Sequence, residues 1–179
     1  MRPRLNTKTV FVDLIRPVFV GCLLLAVWSY TSSIQSADLG SGGSDISRDD
    51  FEAVKKGNDA ADKGDFEAAV REWKPLAEQG NLHAELQLGI VYLGGLGQVP
   101  QDYKESMKWH KVAARNGSVH ALVTIGHMYR FGEGVLPNNA EAVKWYQLSA
   151  NQGNADAQNN LATMYAEGEG VERDAHKAA

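Results

Sequence analysis

The sequence predicts an all-α fold, a right-handed solenoid of antiparallel helix pairs. The set Ala84, Leu88, Gly89, Tyr92, Gly95 and Gly97 returns thirty-seven positions later as Ala121, Ile125, Gly126, Tyr129, Gly132 and Gly134. Thirty-six positions further it is Ala157, Leu161, Ala162, Tyr165, Gly168 and Gly170. A fixed period of this size marks stacked supersecondary units, each too small to bury its apolar face alone. Within a unit the apolar residues recur at three- and four-residue intervals, which is the helical period.

The chain begins with a basic stretch carrying Arg2, Arg4, Lys8 and Arg16, followed by an apolar run from Val18 to Trp28 and a small, polar stretch from Ser29 to Ala37. That order predicts a secretory signal over residues 1–36. The alternative is an uncleaved anchor over residues 18–28, although the run is shorter than the roughly 20 residues that span a bilayer. Residues 37–48 hold Gly40-Ser41-Gly42-Gly43-Ser44, a flexible tether. The solenoid is expected over 49–179, in units of about 50–82, 83–118, 119–154 and an incomplete 155–179.

In the first unit Phe51, Val54 and Ala61 follow helical spacing, Gly64 breaks the helix, and Asp65 caps a second one from Phe66 to Gln79. Ala69, Val70, Trp73 and Ala77 face inward there, and Pro75 is expected to bend or loosen the helix. Each later unit opens with a helix A, whose stripe is Ala84-Leu88-Tyr92 and its counterparts. A Gly-x-Gly reversal follows, where positive φ is needed. Helix B comes next, capped by Asp102 with Glu105 or by Asn138 with Glu141 at capping-box spacing. Its inward residues are read as Met107, Trp109, Val112 and Ala113, then Val143, Trp145, Leu148 and Ala150. Gly117 and Gly153 suit helix C-termini. By register, Asp174 and Ala175 open another helix B of which the sequence carries only the first residues, so this segment is expected to be the least stable or to bind a partner chain.

Cys22 is the only cysteine, and it lies in the signal, so the mature chain has no disulfide framework, thiol nucleophile or thiolate metal site. Past Ser36 there are 14 Lys and Arg against 21 Asp and Glu. An acidic chain without a basic stripe is a poor nucleic-acid binder. Membrane contact is expected only through an uncleaved N-terminal segment.

The Gly-x-Gly turns follow helices and lack a third glycine, so they read as structural turns and not as phosphate loops. His120 and His127 are roughly 10 Å apart along a helix, too far for one metal. His83 and His120 share a repeat position, and no His-x-x-x-His pair exists. Neither a Ser-x-x-Lys nor a Gly-x-Ser-x-Gly motif is present. No catalytic constellation, cofactor or metal is expected.

The strings Val99-Pro100-Gln101-Asp102-Tyr103, Lys144-Trp145-Tyr146 and Ala150-Asn151-Gln152-Gly153-Asn154, with the Gly-x-Gly-Val loops at Gly132 and Gly168, resemble the Sel-one-like repeat (SLR) family, relatives of the tetratricopeptide repeats. The resemblance covers about residues 50–179. The departures are Gln98, inserted in the first loop, His110 in place of Tyr, and Ala162 in place of Gly. The resemblance implies an exported bacterial scaffold or adaptor that binds a protein or peptide. The alternatives are a β-lactamase-like hydrolase of the family's cysteine-rich branch and a regulator of an envelope sensor. A solenoid offers a concave face built mainly from helix A. Residues there that differ between units are the candidate contacts: Glu85, Gln87 and Ile90, then Leu122, Thr124 and His127, then Gln158, Asn160 and Thr163.

Overall fold

The computed structural model describes residues 48–177. The proposed signal and almost all of the tether lie outside the described residues, as do residues 178–179. Seven helices are seen among the described residues: α1 (Arg48–Asp62), α2 (Phe66–Glu78), α3 (Leu82–Gly94), α4 (Tyr103–Arg115), α5 (Val119–Phe131), α6 (Asn139–Ala150) and α7 (Ala155–Glu167). They pack in consecutive pairs, α1 with α2, α3 with α4 and α5 with α6, and α7 lies against α6. None is long and apolar enough to cross a membrane.

One polar contact fixes the pitch of every unit. The residue that caps helix B, or that stands at the same register position in the last unit, donates its own N–H to a carbonyl near the end of helix A. The pairs are Asp65 to Ala60 (2.9 Å), Asp102 to Tyr92 (2.8 Å), Asn138 to Tyr129 (2.7 Å) and Asp174 to Tyr165 (3.0 Å). The capping spacing therefore does not close into a reciprocal box. With the cap N–H already taken, Glu105 and Glu141 turn outward to pair with Lys108 (2.9 Å) and Lys144 (2.8 Å). Helix A is capped in its own way: Asn81, Ser118 and Asn154 accept from the N–H groups of Ala84, Ala121 and Ala157.

A second recurring contact sets the distance between the helices of a pair. A ring from helix B lies against a glycine of helix A. Trp73 covers Gly57, His110 covers Gly89 and Tyr146 covers Gly126. A methyl group at Gly89 or Gly126 would stand about 2.5 or 2.6 Å from ring atoms, so neither position tolerates a side chain. This corrects the expected register of helix B. Tyr146 is fully buried with Ala142, Val143 and Ser149, whereas Leu148 is exposed and Trp145 half-buried. In α4 it is His110, not Val112, that completes the core. In α1, Phe51 is likewise exposed, while Val54 and Ala61 pack inward. Helix α2 runs unbroken through Pro75, which sits exposed in the last turn.

The core is a succession of clusters along the array. One gathers Trp73, Leu76, Leu88, Val91 and Trp109; a second, Met107, Ile125 and Met128; a third, Tyr146, Leu161 and Met164. The Gly-x-Gly turns lock successive units together. In each, the first glycine ends helix A in the left-handed conformation, as expected. The second, Gly134 at φ 74°, lies against the start of the preceding helix B: a Cβ there would stand 2.9 Å from the carbonyl carbon of Tyr103.

Candidate protein-binding face

Neighbouring A helices meet along a lateral seam. His83 of α3 bonds Asn58 of α1 through Nε2 and Oδ1 at 3.0 Å. Asn58, Ile90, His127 and Thr163 share one register position, the residue after the ring-bearing glycine or its alanine counterpart. At 100° per residue this position lies opposite the core stripe. Burial in the seam lowers the pKa of both His83 and His127 to about 4, so both rings are neutral at pH 7. The Arg130 charge also lowers His127, and Asp156 of α7 works against it. The His127 ring meets Tyr146 edge-on at 5.4 Å and stacks on Phe131 at 5.9 Å.

The structure divides the nine candidate contacts. Glu85, Ile90, Leu122 and Thr124 are buried and do not face a ligand. Glu85 is fully covered because its position faces the incoming helix B: Asn116, at the end of α4, donates Nδ2–H to Oε1 at 2.6 Å. Its Oε2 has no hydrogen-bond partner. Burial raises the Glu85 pKa, and the Asn116 bond offsets part of that rise. Leu122 occupies the same position one unit on. Ile90 fills the seam, and Thr124 donates Oγ1–H to the His120 carbonyl at 3.3 Å. Gln158 is exposed but belongs to another surface. It reaches the Ala150 carbonyl and lines a groove of about 520 Å³ between α6 and α7, with Gln147, Leu161, Tyr165 and Lys177.

Gln87, Asn160 and Thr163 remain on the open face, and His127 borders it, half-buried in the seam. Asn160 and Thr163 bond back to the carbonyls of Asp156 (2.8 Å) and Asn159 (3.0 Å). Sequence comparison between units missed the most exposed apolar group there, Phe131, which is 50 % exposed. Its register position reads Gly94, Phe131 and Glu167 in successive units, as variable as any that was chosen. Its i,i+4 relation to His127 was the available signal. His110 has a structural role. It lies in the core with Nδ1 2.9 Å from the Ser106 carbonyl oxygen, and burial lowers its pKa to about 4.

Comparison with known proteins agrees with this architecture. The Sel1 repeat matches residues 82–118, 120–154 and 155–179. A Sel1 repeat protein from Oxalobacter formigenes is 30% identical over 72% of this chain and 54% of its own, with a TM-score of 0.68. The protein c5321, a protective antigen of uropathogenic Escherichia coli strains displaying an SLR fold, is 30% identical over 72% of this chain and 28% of its own, with a TM-score of 0.66. The chain thus spans about half or less of these solved relatives. No curated protein matches it. With more than half its length matched by the repeat, the chain belongs to the Sel1 repeat family and is a Sel1-repeat scaffold protein.

Proposed function

We propose that this protein is an exported adaptor that binds a protein or peptide on its open helix-A face and carries out no chemistry itself. The observation that supports this reading is how the polar side chains are used. Asp65, Asn81, Asp102, Ser118, Asn138 and Asn154 cap helices. Ser106, His110 and Ser149 satisfy internal groups, Ser149 by donating to the Val119 carbonyl. Gln87, Thr163 and Phe131, which differ between units and keep part of their surface accessible, lie on the open face. Sel1 repeats generally mediate protein interactions, which favours the same reading. Export rests on the basic start and short apolar run of the sequence.

Two measurements test it. N-terminal sequencing of protein from fractionated cells is expected to find a mature start between about Ile34 and Asp38; an intact Met1 in the cytoplasm would refute export. Affinity capture from envelope extract is expected to lose its specific partner with Gln87→Lys plus Thr163→Lys, but not with Lys108→Glu on the opposite side. Equal capture by all three proteins would defeat the concave-face reading.

A further inference from the structure

We propose that Phe131 and Glu167 form the anchor point of the open face, and that the segment it takes carries an apolar side chain followed by a basic one. This rests on the adaptor reading and names the chemistry of its partner. Phe131 is half-exposed, yet it is held in place. His127 stacks on it at 5.9 Å with ring planes 9° apart, and the Arg130 guanidinium carbon lies 5.5 Å from its centroid. A rigid, exposed aromatic ring loses little entropy on binding, and such side chains dominate interface energies.

The surroundings select the partner. At the same register position the preceding A helix carries Gly94, which adds no side chain there. The following A helix carries Glu167 at that position, with its side chain 56% exposed. Arg130 does not make the platform basic. It is only 16% exposed and is held between Glu169, at 2.8 Å, and Glu167, at 4.0 Å. One half-buried cation against two carboxylates, beside a neutral His127, leaves the platform negative. An extended segment lying across the A helices would set an apolar side chain over Gly94 and against Phe131. Its next basic residue would meet Glu167. Charge complementarity of this kind sets orientation and partner choice.

The test is calorimetric titration of the purified protein with three peptides: acetyl-Lys-Phe-Lys-Lys-amide, acetyl-Lys-Ala-Lys-Lys-amide and acetyl-Glu-Phe-Glu-Glu-amide. The first is expected to bind at least tenfold more tightly than either of the others. Phe131→Ala should weaken it by about tenfold, and Glu167→Gln by several-fold, with a shallower salt dependence. Both side chains are exposed, so the variants should melt as the parent does. The inference is overturned if the first peptide does not bind, if the acidic peptide binds as well, or if binding survives Phe131→Ala. An envelope partner lost with Gln87→Lys plus Thr163→Lys but kept by Phe131→Ala would leave the adaptor reading standing and remove this one.

Discussion

Glu85 carries a carboxylate into the interior with one oxygen bonded to Asn116 and the other unsatisfied. A group whose pKa is raised on folding adds stability below its unfolded pKa and loses it as pH rises through the folded value. At pH 7 the charge is therefore a cost. Glu85→Gln keeps an acceptor for Asn116 and is expected to stabilise by about 1 kcal/mol at pH 7, with the gain vanishing near pH 4. Thermal melts at the two pH values check it, and a loss of stability at pH 7 would mean that the ionised form is favoured. The buried histidines act in the opposite sense. Their folded pKa values, about 4, lie below the usual 6.5, so the unfolded chain binds the protons first and stability falls as pH drops from 6.5 towards 4. Each contributes up to about 2 kcal/mol of this loss by pH 5. Ser106→Ala with His110→Tyr installs the Ala142–Tyr146 pair of the next unit, and should flatten the acid limb of the stability curve. An unchanged limb would exonerate His110. Neither effect could be read from sequence, because a lone Glu or His on a helix does not announce which helix will cover it.

At the scale of elements the turns decide most. Gly134 combines a positive φ with close packing on the backbone of Tyr103. Gly134→Val should therefore cost more than the roughly 1 kcal/mol of conformational strain alone, and a melting temperature equal to the parent's would contradict the packing. On α5, Ile125 is fully buried between units and Ile125→Ala should cost about 2–5 kcal/mol. Thr124 is buried too, so Thr124→Ala is expected to cost about 1 kcal/mol and not nothing. Denaturant midpoints separate the two. Element order, caps and glycine turns were legible because each needs particular residue types at fixed offsets: Asp102, Asn138 and the paired glycines say what they do. The inward face of helix B was not. Trp145 and Leu148 outrank Tyr146 in apolarity, and only the bare Gly126 opposite reveals which ring enters the core.

Across the whole described array, burial is uneven. Three register positions lose cover along the series: Leu86, Ile90 and Leu93 are buried or half-buried on α3, Val123, His127 and Arg130 are half-buried on α5, and Asn159, Thr163 and Ala166 are exposed on α7. Apolar character drains away along that series. Helix α5 buries six residues and α7 three. In a fold held by nearest-neighbour contacts, amide exchange should be slower in α5 than in α7; equal protection at Ile125 and Leu161 would argue for one cooperative block. The bond between the cap N–H and the helix-A carbonyl has a different reach. The same two points are joined by residues 61–64 in one unit, 93–101 in the next, and 130–137 and 166–173 in the others. Helix B starts from the same place whatever the length of chain between, and Gln98 has already been absorbed there. An insertion at the exposed Gln98 would thus leave the start of helix B in place, and a foreign epitope spliced there would be displayed at a set position while the helices beneath kept their stacking.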